Sequence, residues 1–136
     1  MKFIEKLLSR NLFNKKITTG ALGEDEAVRL LKIQGYKILE RNYRIRGGEI
    51  DIIARDGDYI CFVEVKLRKR NDYGTPAEYI TYKKREKLIK TATLYAQRKR
   101  LAGCPMRFDA VLINAVNIGN KLKVNYSEVI KNAFEL

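Results

Sequence analysis

One stretch constrains the fold more than any other, the run GGEIDIIARDGDYICFVEVKLRKR at residues 47–70. Two segments rich in β-branched and aromatic residues flank an Asp-Gly pair, which is a strong signal for a two-residue hairpin turn. We therefore predict an antiparallel hairpin that turns at Asp56-Gly57.

The turn sets the pairing of the two strands, because a two-residue loop fixes the register. With the turn at Asp56-Gly57, Arg55 pairs with Asp58 and Glu49 faces Glu64 directly. Asp51 then becomes a diagonal neighbour of Glu64, with Cβ atoms roughly 7 Å apart or less.

Alternation divides the hairpin into two faces. The first face is apolar and is predicted to be core: Ile50, Ile52, Ala54, Cys61, Val63, Val65 and Leu67. The second face carries Glu49, Asp51, Ile53, Ile60, Phe62, Glu64 and Lys66. All its charged members lie at the end away from the turn.

The rest of the chain predicts helices around this hairpin. Helices are expected over 19–35, 77–101 and 127–136, and further strands over 36–46, 106–116 and 121–129. A helix between the third and fourth strands indicates a crossover, hence a mixed central β-sheet flanked by helices. The prediction is one α/β domain over residues 18–136, preceded by a basic N-terminal extension at 1–17.

The charge balance points to a polyanionic partner, and nucleic acid is the commonest one. Lys and Arg number 28 against 16 Asp and Glu, a net charge of +12, and residues 66–100 hold 12 basic side chains against three acidic ones. The predicted nucleic-acid contacts are Arg68, Lys69, Arg70, Lys83, Lys84 and Arg85, with Lys84 the best single candidate. Tyr73, Tyr79 or Tyr82 could stack on exposed bases.

Several classes of site and location are disfavoured. The sequence contains no His, which excludes a Ser-His-Asp triad and any His-ligated zinc site. Cys61 and Cys104 lack metal-ligand spacing, and Cys61 is expected to be a small core residue. Without a secretory signal or an apolar span, a cytoplasmic location and no membrane partner are expected.

The acidic cluster of the hairpin predicts a metal site. Like charges placed so close are destabilising, and Mg²⁺ prefers oxygen ligands while keeping several waters, so two or three carboxylates suffice. Lys66 could orient a water or stabilise developing charge. Glu24 projects from the inner face of the first helix and could join the site. The alternative is a solvated face with cross-strand ion pairs, with Glu24 merely favouring the helix dipole.

Two resemblances sharpen this prediction. Asp51 followed by Glu64-Val65-Lys66 resembles the PD-(D/E)xK nuclease signature. The ordered blocks GEDEA, RGGEIDIIARDG, FVEVKLR, PAEYITYKK, RFDAV and NAF resemble the YraN-like family of uncharacterised bacterial proteins, from about residue 20 to residue 134.

That family is similar to archaeal Holliday-junction resolvases, which are Mg²⁺-dependent dimeric endonucleases. The resemblance implies a restriction-endonuclease-like core, Mg²⁺ or Mn²⁺ as cofactor, and a homodimer as one option. It implies metal-binding carboxylates at Asp51, Glu64 and Glu24, with Glu49 as a further candidate ligand, and a catalytic Lys66.

The sequence is therefore compatible with three functions. The first is a metal-dependent endonuclease that hydrolyses phosphodiester bonds in DNA, with branched or damaged DNA as candidate substrates. The alternative is a non-catalytic nucleic-acid-binding protein with a nuclease-like fold. A scaffold for a protein partner rests only on the basic N-terminal segment.

Overall fold

The computed structural model describes residues 19–69 and 80–134, and the predicted extension at 1–17 lies outside them. The described elements, in chain order, are α1 (Thr19–Ile33), β1 (Lys37–Ile45), β2 (Gly48–Asp56), β3 (Tyr59–Lys69), α2 (Tyr82–Arg98), β4 (Met106–Ile118) and β5 (Lys121–Ile130). The predicted order of a helix, three strands, a helix and two strands is confirmed.

The five strands form one sheet in the order β1-β2-β3-β4-β5. β3 and β4 run parallel, whereas the other three neighbouring pairs are antiparallel. The parallel pair follows from the crossover through α2, because two parallel neighbours cannot be joined by a tight turn. The predicted mixed α/β sheet is therefore confirmed.

The helices cover opposite faces of this sheet, as strand alternation requires. α2 packs Leu88, Ala92 and Tyr95 into one cluster of buried side chains with Ile53, Ile60, Phe62, Phe108 and Ala110. α1 packs Ala27, Val28 and Leu31 into the other, with Ile52, Ala54, Cys61, Val63, Val111 and Ile113. The predicted apolar face of the hairpin is thus the α1 face, and the acidic face lies on the α2 side.

The predicted hairpin register is wrong by two residues. Asp56 pairs with Tyr59, so the loop is Gly57-Asp58 rather than Asp56-Gly57. Gly57 has φ of 60°, which suits the first central position of a type II′ turn, where glycine is preferred. A shift of two keeps each side chain on its predicted face but changes its partners.

Ile50 is the exception to the predicted faces. It lies in the α2-side cluster together with Ile53, although an odd separation should put the two on opposite faces. Its partner on β1 is Tyr43, which stacks edge-on against Tyr95 of α2 at 5.0 Å between ring centroids. The neighbouring Asn42 has φ of 52°, so β1 departs from regular extended geometry at this point.

Two helix predictions need correction. The second helix begins at Tyr82, because Thr81 is extended and its Oγ1 accepts a hydrogen bond from the Lys84 amide at 3.2 Å. Residues 77–79 of that prediction lie outside the described residues. The predicted last helix is wrong, since β5 continues to Ile130 and the Ala133 amide still bonds to the Phe108 carbonyl at 2.7 Å.

A buried polar network ties strands together on the α1 face. Asp109 is buried, and its carboxylate accepts hydrogen bonds from the Tyr36 hydroxyl at 2.7 Å and from Arg107 at 2.8 Å. Arg107 also donates to Asp56 at 2.7 Å. These groups satisfy one another, so this network explains the RFDAV block as a structural feature.

Cys61 is buried in the core, as predicted, and burial raises the pKa of its thiol to about 12. Cys104 is also a free thiol. In the described part of the chain, neither helix combines the length and apolar character that crossing a membrane requires.

Candidate active site

Asp51 and Glu64 lie side by side at the end of the hairpin away from the turn. The true register brings Asp51 level with Glu64, because the last backbone pair of β2 and β3 is Ile52 with Val63. Beyond that pair, the Asp51 side chain continues the link, and its Oδ2 accepts a hydrogen bond from the Val65 amide at 2.8 Å. The sequence register made these carboxylates diagonal neighbours; the structure makes them direct ones.

Asp51 lies beside the distorted position of β1, Asn42. Asn42 lies between the register pairs Arg41–Ile52 and Tyr43–Ile50, and is therefore beside Asp51 across the sheet. Its left-handed conformation suits asparagine better than most residues. The side-chain amide of Asn42 donates to Glu24 Oε1 at 2.9 Å, and the Arg41 guanidinium donates to the same oxygen at 2.8 Å.

Glu24 therefore does not join the carboxylate pair in this structure. It reaches from α1 to β1, where Arg41 and the Asn42 side chain both donate to its Oε1. Its side chain is 16% exposed, covered by these two partners. Its role as a metal ligand stays a prediction.

Glu49 is also held apart from the pair. It lies on β2 opposite Arg44 of β1, and their side chains form an ion pair at 3.2 Å. The predicted direct pairing of Glu49 with Glu64 is wrong, because it followed from the wrong turn. The Glu49 side chain is 58% exposed, so this pair belongs to the surface.

Glu64 is the most perturbed carboxyl group of the site. Only 5% of the residue is exposed. Burial, followed by the hydrogen bond and charge of Asp51, raises the pKa of Glu64 to about 7, while Lys84 opposes the rise. A buried carboxyl group beside a second one is the arrangement in which one proton or one cation is held between them.

Two lysines complete the cluster. Lys84, in the first turn of α2, places Nζ 3.2 Å from Glu64 Oε1. Although burial alone would lower it, the carboxylates Glu64 and Asp51 raise the pKa of Lys84. Lys66 follows Glu64 by two residues on β3, and burial, then the charge of Lys84, lower its pKa. The cluster thus combines two carboxyl groups with two lysines whose pKa values are shifted in opposite directions.

The residues of this cluster fit a small divalent ion held by two carboxylates. Both donors are carboxylate oxygens, which Mg²⁺ and Mn²⁺ accept, and Mg²⁺ usually takes one or two protein carboxylates and keeps several waters. Within 19–69 and 80–134, no group of three or more His, Cys, Asp or Glu side chains converges in metal-binding geometry. A site built on Asp51 and Glu64 would therefore supply two carboxylate ligands and leave the remaining positions to water.

The predicted nucleic-acid contacts are dispersed. Lys83 is exposed, Lys84 pairs with Glu64, and Arg68 is half-buried on β3. Arg85 has a packing role, since its guanidinium donates to the Ile80 carbonyl at 3.1 Å and lies 5.4 Å from the centre of the Phe134 ring. Arg70 and the Lys69 side chain lie outside the described part of the structure.

A groove of about 660 Å³ lies beside the cluster. It is lined by Arg44, Ile45, Gly47, Gly48, Glu49, Thr81, Lys83, Lys84, Lys87 and Leu88. Sequence reasoning missed Arg44 and Lys87, which come from a strand and a helix far apart in the chain. Their positive charge is visible in the sequence. The sequence does not show, however, that the β1–β2 turn packs against α2 and brings the two side chains into one groove.

The chain is similar to bacterial proteins of one family. Residues 23–113 match the model of the uncharacterised protein family UPF0102. A UPF0102 protein of Clostridium kluyveri is 47% identical, covering 91% of this chain and 98% of the relative. One of Syntrophus aciditrophicus is 46% identical over 90% and 92%. The predicted family is thus confirmed, and the chain belongs to UPF0102, the YraN family.

Proposed function

We propose that this protein is a metal-dependent endonuclease that hydrolyses phosphodiester bonds in DNA, with branched or damaged DNA as candidate substrates. The observation that carries the proposal is the adjacency of Asp51 and the buried Glu64 with Lys66 two residues further along the same strand. Perturbed carboxyl groups that share a site with a lysine are a frequent mark of catalytic centres.

Asp51 and Glu64 would hold the ion. A bound Mg²⁺ or Mn²⁺ supplies Lewis acidity toward a phosphoryl oxygen and a more acidic water. The protein fixes the donors in advance, because Asp51 is held by the Val65 amide and Glu64 by the surrounding core. A rigid pair of carboxylates binds without reorganising at the moment of reaction.

Lys66 is the candidate for handling charge and the attacking water. Its pKa is lowered by burial and by Lys84, so its ammonium gives up a proton more readily than a surface lysine does. A lysine of this kind can orient the water that attacks phosphorus or stabilise the negative charge that develops on the phosphoryl oxygens.

Cleavage assays test the proposal directly. We expect the purified protein to cut at least one DNA in a panel of duplex, single-stranded, flapped and four-way substrates with Mn²⁺ or Mg²⁺. Asp51→Asn should abolish cutting while DNA binding persists. Asp58→Asn is the matched control, because this exposed carboxylate lies in the turn of the same hairpin. The proposed endonuclease activity would be refuted if Asp51→Asn still cut DNA, or if the wild type cut none of the substrates in the panel.

A second candidate is a protein that binds nucleic acid without cutting it. One observation favours it: Lys84 already places a positive charge 3.2 Å from Glu64, so the buried carboxyl group is partly compensated by the protein itself. A binder would show strong DNA affinity, no cleavage with any divalent ion, and no Mn²⁺-dependent rise in thermal stability. The homodimer and the cytosolic location stay predictions.

A further inference from the structure

The groove between the β1–β2 turn and the N-terminal half of α2 has a composition suited to one kind of ligand. We propose that it binds the sugar-phosphate backbone of a single nucleic-acid strand, continuing the path of the strand whose phosphodiester lies at Asp51 and Glu64. The proposal rests on the proposed function for its class of ligand, and it adds Arg44 and Lys87 as contacts.

Charge is the first argument. Among the described residues that line the groove, four are cationic, Arg44, Lys83, Lys84 and Lys87, and one, Glu49, carries a carboxylate. Arg44 already pairs with that carboxylate at 3.2 Å, so Glu49 does little to offset the other three. A concave surface with this excess attracts phosphates, and much of the binding free energy comes from released counterions.

The remaining described lining favours contacts with phosphates. No aromatic ring is among the residues that line the groove in the described part of the chain, so it offers no stacking platform there. Gly47 forms part of the lining, and a Cβ there would meet no atom within 4 Å, so a polymer can approach this backbone closely. Such a surface should bind without sequence preference.

Lys84 connects the groove to the cluster. It lines the groove and also contacts Glu64 at 3.2 Å, so both sites share this side chain. A strand with one phosphate beside Glu64 would therefore place a neighbouring phosphate near Lys84 and the next ones toward Lys87. A groove of about 660 Å³ has room for a short segment of one strand.

The test measures binding of a fluorescein-labelled single-stranded oligonucleotide by anisotropy in EDTA, across a series of salt concentrations. The variant is Arg44→Gln/Lys87→Gln. The matched control is Arg29→Gln/Lys32→Gln on α1, the helix on the other face of the sheet. The control removes the same amount of charge as the groove variant. It also matches the type of arginine lost, because Arg29 is exposed and forms a surface ion pair with Glu26, as Arg44 does with Glu49. Thermal denaturation checks that all three proteins are folded.

We expect the groove variant to lose about tenfold or more in affinity at low salt, and the control less than twofold. The slope of log K against log salt should flatten by about 1.4, from about 0.7 for each phosphate contact on a single strand. Equal losses in both variants would mean that only net charge matters and would overturn the proposal, as would a wild type that does not bind.

Because EDTA removes divalent ions, this result is independent of cleavage. A protein that binds through the groove but cuts nothing would sustain this inference and refute the nuclease. A protein that cuts DNA, yet whose binding ignores Arg44 and Lys87, would sustain the nuclease and refute this inference.

Discussion

Nζ of Lys84 lies 3.2 Å from Oε1 of Glu64, and this contact joins the first turn of α2 to the acidic end of the hairpin. The two side chains differ sharply in exposure, since Lys84 is 41% exposed and Glu64 only 6%. The lysine can therefore leave for solvent or another anion, whereas the carboxyl group cannot leave the core.

Glu64→Gln should make stability less dependent on pH. A raised pKa means that the folded state holds the proton more tightly, so the stabilisation is complete below about 4.5 and is lost as pH rises through about 7. The difference in unfolding free energy, Glu64→Gln minus wild type, should therefore grow over this window in the metal-free protein. Each pKa unit corresponds to about 1.4 kcal/mol. Urea unfolding at several pH values measures it, and a constant difference would contradict the prediction.

Lys84→Gln should destabilise the protein more at pH 8 than at pH 5. At pH 8 the Glu64 carboxylate is ionised and would lose its nearest cation, whereas at pH 5 it is largely protonated. We expect a loss on the order of 1–2 kcal/mol at pH 8, below the values for fully buried pairs because Lys84 is partly exposed. Lys83→Gln is the control, and its exposed side chain should matter by less than about 0.5 kcal/mol. Equal effects at both pH values would argue against the pairing.

Glu24 is expected to stabilise the left-handed conformation of Asn42 in β1. Glu24→Ala removes the acceptor of Arg41 and Asn42 and should cost about 1–2 kcal/mol in urea unfolding, while Glu24→Gln keeps an acceptor oxygen and should recover part of that. If the thermal shift on adding Mn²⁺ survives in Glu24→Gln but is lost in Asp51→Asn, Glu24 acts on the strand alone. If the shift vanished as completely as in Asp51→Asn, Glu24 would instead be a ligand, as the nuclease resemblance implies.

Gly48→Ala should destabilise the protein although glycine is a poor strand residue. A Cβ at Gly48 would overlap Oγ1 of Thr91 on α2, and overpacking of this kind typically costs about 1–3 kcal/mol. Gly23→Ala is the contrast, because its Cβ would meet Leu67 and Ile113 at ordinary contact distances, from 3.6 Å. Alanine is the better helix former there, so we expect no loss. Thermal unfolding of both variants decides, and equal effects would rule out the clash.

Local patterns predicted the sheet well and the site partly. Alternation assigned Asp51, Glu64 and Lys66 to one face, and the crossover predicted a mixed sheet. The register failed because Asp56-Gly57 and Gly57-Asp58 are both acceptable two-residue loops, and the choice depends on the backbone twist of the whole hairpin.

Other features depend on contacts between distant segments. The residues around Asn42 in the sequence do not predict its left-handed conformation, because that conformation is supported by Glu24 of α1. The place of Lys84 over Glu64 depends on where α2 begins, and Thr81 sets that point. The groove brings Arg44 of β1 and Lys87 of α2 into one lining, which only the packed structure arranges.

The close approach of Gly48 to Thr91 has a consequence for any ligand of the groove. It joins the β1–β2 turn to α2, so the two sides of the groove are ordered together when the chain folds. The conformational entropy of arranging these sides is then lost in folding rather than on binding, which is the basis of preorganisation. A variant that loosens this contact should weaken association without removing a single charge.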